Sequence, residues 1–293
     1  MNDAAIVQTV CFPLNACMRT KSLFSVIILS VFSFLAPQSQ AALLAYESFN
    51  YSSGNLTGQS GGTGWGANWS GGGTNITFQT GSLDQVNGSP VTTAGNKAVF
   101  QTATASTRTL NTTLGADGTT AYFSLLMRYD GTSNTGNNNQ LDSWGAFTIR
   151  NSANTSEIAF GNDYTNIVVG QGGGSSNKTL GGTFVGNTTY HMVLKVNFNA
   201  GNDTFSLFVN PTAGSEGAPA LTFNNYDLGN SVNLIGITNG PSTPVGANWQ
   251  FDEMRVATTW GDIVAIPEPS TYALLGAGMG LLWLVRRKAR PQV

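Results

Sequence analysis

Between residues 44 and 256 apolar and polar side chains alternate in short runs, each closed off by Gly, Asn, Ser or Asp. The clearest runs are 121–128 (AYFSLLMR), 146–150 (AFTIR), 190–198 (YHMVLKVNF), 204–209 (TFSLFV) and 249–256 (WQFDEMRV). They are rich in aromatic and β-branched residues and keep a period of two, which is what a strand with one buried face requires. Weaker runs of the same kind lie at 44–49, 76–79, 97–101, 157–160, 167–169 and 232–237. Turn-forming clusters separate them, including Gly71-Gly72-Gly73, Asn137-Asn138-Asn139 and Gly172-Gly173-Gly174. No segment between 42 and 265 carries a helical stripe. The pattern predicts an all-β body of about eleven short strands folded into two antiparallel sheets, packed face to face.

The best-defined pair is 190–198 with 204–209, joined by Asn199-Ala200-Gly201-Asn202-Asp203, residues that tolerate a left-handed backbone. Alternation sends Met192, Leu194, Val196 and Phe198 to one wholly apolar face, expected to point inward. His191, Val193, Lys195 and Asn197 take the other, more polar face.

Both ends of the chain depart from this pattern. Arg19 and Lys21 precede an apolar run at 23–36, and Ser39-Gln40-Ala41 offers a small-x-small cleavage site. Residues 1–41 therefore read as an export signal with a signal helix, and Met18 as the effective start. Cys11 and Cys17 both fall in the part removed, so the exported body has neither a disulfide framework nor cysteine chemistry. At the other end Pro267, Glu268 and Pro269 form an extended peptide, because each ring fixes its own φ and pushes the preceding residue out of the helical region. The run 272–285 is apolar and small-residue rich, and Arg286, Arg287, Lys288 and Arg290 close it with positive charge. As a helix that run covers about 21 Å at ~1.5 Å per residue. The ~30 Å hydrocarbon core is then crossed only if the basic stems snorkel. The charge places the basic end in the cytoplasm and the body outside.

The order Pro-Glu-Pro, Ser270-Thr271-Tyr272, apolar helix, arginine cluster resembles the PEP-CTERM sorting signal of Gram-negative bacteria. The resemblance covers residues 266–293 and implies a partner, the membrane-embedded transpeptidase exosortase. It also implies export through the inner membrane, transient anchoring by the short transmembrane helix 272–285, and release to the cell surface or extracellular matrix. The body at 42–265 is similar to the concanavalin A-like (LamG-type) jelly roll. Tyr190-His191, Phe208-Val209-Asn210 and the closing run Phe251-Asp252-Glu253-Met254-Arg255-Val256 stand in that family's order, and Tyr46-Glu47-Ser48-Phe49 resembles its first strand. This implies a two-sheet jelly-roll sandwich whose first strand lies near its last.

Composition narrows the function. The body holds thirteen acidic against seven basic residues, a net charge of −6. A body this acidic and poor in charge offers no electrostatic footprint for nucleic acid or an anionic membrane. His191, the single histidine, has no nucleophile motif around it and reads as a strand residue. Hydrolases of the jelly-roll class carry Glu-x-Asp-x-x-Glu so that strand alternation aligns their carboxylates, and this spacing is missing. Asp252 and Glu253 are adjacent, and neighbours on a regular strand face opposite sides. They are expected to serve an ion pair with Arg255 or a loop contact, and no catalytic residue is assigned. Asp130, Asp142, Asp163 and Asp203 sit in turns where calcium could be held, without the spacing that would assign ligands. Trp65, Asn68, Trp69 and Trp144 are the candidate glycan-binding residues, since aromatic faces beside amides suit sugar rings. The expectation is an exported, non-enzymatic surface or matrix protein that contacts exopolysaccharide. The alternative is a secreted laminarinase-like glycoside hydrolase, whose two carboxylates would have to come from distant strands.

Overall fold

A computed structural model describes residues 43–264, apart from 53, 85–90, 92, 132–140, 142, 173–176, 183, 213 and 241–247. The expected signal helix, the sorting tail and the helix 272–285 lie outside the described residues. No helix among the described residues is long and apolar enough to cross a membrane.

The described chain forms β1 (Leu43–Glu47), β2 (Ser70–Gly71), β3 (Ile76–Thr80), β4 (Asn96–Phe100), β5 (Thr104–Leu114), β6 (Thr120–Asp130), β7 (Gly145–Asn151) and β8 (Glu157–Asn162). It continues with β9 (Ile167–Gln171), β10 (Asn177–Leu180), β11 (Thr189–Asn197), β12 (Asp203–Val209), β13 (Leu221–Tyr226), β14 (Val232–Asn239), β15 (Asn248–Ala257) and a short helix, α1 (Trp260–Val264). The larger sheet runs β13-β12-β11-β6-β15-β4-β3, with β1 also paired to β15; the smaller runs β10-β9-β8-β7-β14-β5-β2. Every pairing is antiparallel, and the chain passes repeatedly from one sheet to the other. This is the all-β sandwich expected, with the first strand beside the last: Leu43 opposes Ala257 and Glu47 opposes Met254.

The core lies between the sheets. Met192, Leu194, Val196 and Phe198 are buried there as their spacing predicts, at 1% exposure or less. Phe123 of β6 meets Phe147 of β7 with ring centroids 6.5 Å apart, and Phe147 meets Phe160 of β8 at 5.1 Å. Trp249 packs on Tyr129 and Phe184, and Gly145 passes directly against its indole. A Cβ at that glycine would overlap the ring, so only glycine admits this close approach.

Four strands escape the sequence pattern: β2, β5, β10 and β13. In β5 the inward positions are Ser106, Arg108 and Leu110, so a strand with a buried face shows no apolar alternation. In β13, on the edge of its sheet, the one buried side chain is Phe223.

The inward-facing Arg108 is answered from the other sheet. Glu47 of β1, 1% exposed, meets Arg108, 3% exposed, in an ion pair of 2.6 Å. Its carboxylate also accepts from the Tyr51 hydroxyl (2.6 Å), Trp69 Nε1 (3.3 Å) and the Phe49 amide (2.8 Å). Arg108 Nε donates to the Ala67 carbonyl at 2.7 Å, and the guanidinium lies 5.0 Å from the Trp65 ring centroid. Both charges are therefore neutralised and saturated with hydrogen bonds, the condition under which a buried pair is tolerated. Burial and the neighbouring Glu47 push the Tyr51 phenol well above its usual range.

Removing one partner leaves the other charge buried and bare, so Glu47→Ala should destabilise the fold by about 3–5 kcal/mol. The double variant Glu47→Gln/Arg108→Met should cost much less than the sum of the single changes. Urea unfolding of the four proteins, arranged as a double-mutant cycle, checks this.

Candidate functional site

The polar chemistry of the body gathers on the outer face of the larger sheet, away from the core. Registry places Thr189, Arg128 and Gln250 in one row across β11, β6 and β15; His191, Leu126 and Asp252 in the next; Val193, Ser124 and Arg255 in the third. Lys97 of β4 flanks the middle row, beside Ala98, the partner of Phe251.

A β-bulge produces this arrangement. Between Asp252 and Arg255 the pairing with β6 advances three residues on β15 but only two on β6, from Leu126 to Ser124. Glu253 is the extra residue, with φ 51°. Phe251 and Met254 consequently both point into the core, while Asp252 and Arg255 both point out.

The outer face is nevertheless covered. Leu83 and Val91 lie over the middle of it, packed on Leu126. The helix α1 lies over the far part, burying Trp260, Ile263 and Val264 against Tyr122, Val193 and Phe208. His191 and Val193, on the face read as the more polar one, are therefore fully buried. Asp252, 0% exposed, accepts from the Ser82 hydroxyl, the Leu83 amide (2.9 Å) and the Glu253 amide (2.8 Å). Glu253 accepts from the Ala94 amide (2.8 Å), the Tyr46 hydroxyl (2.9 Å) and Arg255 Nη2 (3.0 Å). The two adjacent carboxylates thus bond to Ser82, Leu83 and Ala94, and both expected partners, the Arg255 ion pair and the loop contact, occur together.

Burial sets the electrostatics here. It lifts Asp252 to about 7 against the donors that favour its charged form. It lowers His191 to about 3, helped by the positive charge of Arg255. Tyr46 rises to about 12 through burial and the charge of Glu253. Lys97, whose ammonium donates to the Gly81 carbonyl at 3.1 Å, is lowered by burial and then by Arg128.

The tryptophans singled out as glycan candidates do not form one surface. Trp69 is 2% exposed and belongs to the core. Trp65 is half-buried, its indole donating to the Tyr46 carbonyl at 3.1 Å, while Asn68 beside it is exposed. Trp65 bridges to Leu110, at one end of the smaller sheet. Trp144 is half-buried and packs on Gly240 at the other end, where Asn239 pairs with both Thr104 and Gly145. Thr104 and Leu110 are six residues apart on β5, a separation of ~20 Å along the strand. Any sugar contact at Trp65 and Asn68 is thus separate from one at Trp144.

Asp163 accepts from the backbone amides of Thr165 and Asn166, and Asp203 from those of Asn199 and Leu228, so both serve turns. Asp130 accepts from Gln250 Nε2 at 2.8 Å; Asp142 lies outside the described residues. No group of three or more His, Cys, Asp or Glu among the described residues is placed to hold a metal ion.

Asp252 and His191 should give the protein opposing pH dependences. Asp252 titrates near 7 when folded and near ~3.9 when unfolded, so its contribution is full below about pH 4 and lost as pH rises through about 7. His191 titrates near 3 when folded and near ~6.5 when unfolded, so its contribution is full above about pH 6.5 and lost as pH falls. Between about pH 4 and 6.5 the two slopes, each up to ~1.4 kcal/mol per pH unit, cancel. Asp252→Asn should unmask stability that rises with pH in this window, and His191→Gln stability that falls. Denaturant midpoints across the window, measured against the parent, check the signs.

Among curated proteins none matches the sequence. Solved structures of similar form are distant. The endo-β-1,4-glucuronan lyase of the fungus Trichoderma reesei aligns at 12% identity and TM-score 0.43, over 74% of this chain and 96% of that one. The botulinum neurotoxin serotype G binding domain aligns at 9% and 0.46, over 74% of this chain and 48% of that chain. An alginate lyase in complex with an alginate trisaccharide aligns at 12% and 0.42, over 74% and 100%. Likeness at this level bears on neither chemistry nor ligand. The specific match is at the end of the chain. It takes in Pro267, Glu268 and Pro269 with Arg286, Arg287 and Lys288, and Arg290 falls just beyond it. Residues 265–288, beginning where α1 ends, match the PEP-CTERM protein-sorting motif, which marks an exported protein sorted at the cell surface by exosortase.

Proposed function

We propose that the chain is a non-enzymatic envelope or matrix protein. A self-contained β-sandwich is delivered by exosortase through Pro267-Glu268-Pro269 and then acts outside the cell by binding or by its bulk. The sorting motif at 265–288, attached to the body's last strand through α1, is the observation that carries this reading. The non-enzymatic part is supported by the state of the acids. Asp252 and Glu253, 0% and 1% exposed, are bonded to Ser82, Leu83, Ala94, Tyr46 and Arg255. Exopolysaccharide is the partner that the destination favours, with Trp144 and the Trp65–Asn68 edge as separate contacts. A second reading, glycoside hydrolysis, draws on one observation: Asp252 titrates near neutrality beside a second carboxylate, as a general acid does.

In the producing cell, Glu268→Ala should leave the chain at full C-terminal length in the membrane fraction, whereas the parent is recovered shortened. Intact-mass analysis of membrane and extracellular fractions reads this directly, and equal processing of both would sink the sorting role. Retention on the producer's own exopolysaccharide should fall with Trp144→Ala. Sugar release lost on Asp252→Asn would instead favour the hydrolase.

A further inference from the structure

The carboxyl of Asp252 faces a second buried group, on β4. The ladder between β15 and β4 pairs Gln250 with Val99 and Phe251 with Ala98. Phe251 and Ala98 both point into the core. Continued by one residue, the same registry sets Asp252 opposite Lys97, both on the outer face of the larger sheet. Directly opposed positions hold their Cβ atoms about 4.5–5.5 Å apart, within reach of a lysine stem. Asp252 is 0% exposed and Lys97 8%.

A buried lysine across from a buried aspartate ordinarily closes an ion pair, because each charge needs the other once water is excluded. Neither residue takes part in an ion pair among the described residues. Asp252 Oδ2 accepts from the Ser82 hydroxyl and the Leu83 amide, and Oδ1 from the Glu253 amide. Lys97 Nζ donates to the Gly81 carbonyl at 3.1 Å. Amine and carboxyl thus stand against three consecutive residues, 81–83. Burial, and then Arg128 of β6, lowers the Lys97 ammonium, while burial raises Asp252 to about 7. Both shifts favour the uncharged forms. A free amine and a carboxylic acid are the reactants of amide formation.

We propose that Lys97 and Asp252 join in an isopeptide bond, a covalent cross-link between β4 and β15 that the body forms within itself. The stem of Lys97 swings Nζ from the Gly81 carbonyl to Asp252, and the neutral amine attacks Cγ to form a C–N bond. The C–Oδ1 bond then breaks. Its oxygen leaves as water, carrying the acid proton and one proton of the amine, while the other amine proton stays on the amide. No oxidant, reductant or cofactor enters the balance. The Ser82 hydroxyl and the Leu83 amide, both on Oδ2, stabilise the negative charge that builds on the retained oxygen. Strand registry holds the two groups at high effective concentration, and burial keeps out the water that would reverse the reaction. The link is independent of the sorting role. A linked Asp252 has no proton to donate, so it excludes the hydrolase reading, and the titration described above for Asp252 is that of the unlinked chain.

The test is made on the purified chain, held at neutral pH, then denatured, digested with trypsin and read by tandem mass spectrometry. The link should give a branched product in which the peptide carrying Lys97 is joined to the peptide carrying Asp252, lighter by one water than the two together. The intact mass should fall by the same amount. Trypsin should also fail to cut after Lys97, since its amine is no longer free. Lys97→Met keeps most of the stem and removes the amine, and should restore the full sequence mass and the separate peptides. Unmodified, separate peptides from a parent chain that melts cooperatively overturn the proposal. A water loss that persists in Lys97→Met, or a branch at another residue, overturns it as well.

Discussion

One extra residue in β15 decides which way two charged side chains, Glu253 and Arg255, face. With unbroken alternation after Phe251, Glu253 and Arg255 would enter the apolar core and Met254 would leave it. Burying those charges among Phe123, Phe147 and Met127 would be far more costly than the strained backbone of one bulged residue. The bulge at Glu253 restores Met254 to the core and sends Arg255 outward, opposite Tyr46 of β1. The same irregularity divides the strand's free edge, since β4 pairs before it at Gln250 and Phe251 and β1 pairs after it.

A second constraint follows from covering the outer face. With both faces of the larger sheet buried, the polar groups on it must find partners within the protein. The two carboxylates do so through Ser82, Leu83 and Ala94, which donate to Asp252 and Glu253. Of the residues that look most chemical in the sequence, Asp252 and Glu253 are thereby committed to holding the cover in place, with Arg255 paired to Glu253. The shifted titration of His191 and Asp252 is the mark of that burial. Perturbed acids of this kind occur in structural networks as well as in active sites.

The Glu47–Arg108 pair plays the corresponding part between the sheets. It joins the first strand of the larger sheet to β5 of the smaller one, and Tyr51, Trp65 and Trp69 gather around it. Trp65 and Trp69 thus stand in the sequence as an aromatic pair near glycines, while in the fold they enclose a charge. Toward the other end α1 packs on Tyr122, Val193 and Phe208, and the sorting motif at 265–288 follows it directly in the sequence.

Residues read singly were enough to identify the all-β class, the inward face of β11 and the sorting tail. Each rests on local chemistry: a period of two, proline-fixed dihedrals, a block of apolar residues ended by arginine. The strand β5 was illegible because its buried face carries Ser106 and Arg108, which become tolerable only when Glu47 arrives from 61 positions away. The facing of Asp252 and Glu253 was illegible because a bulge has no composition of its own; it is fixed by the registry of β15 on β6. The separation of Trp65 from Trp144, and the burial of His191 beneath a cover, were likewise settled by strand pairing and long-range packing. Sequence by itself determined where the protein is sent and what class of body travels, because short-range sterics and hydrophobicity write those. Tertiary structure alone decided which charged groups meet and which are sealed from water, because that depends on partners brought together only by the fold.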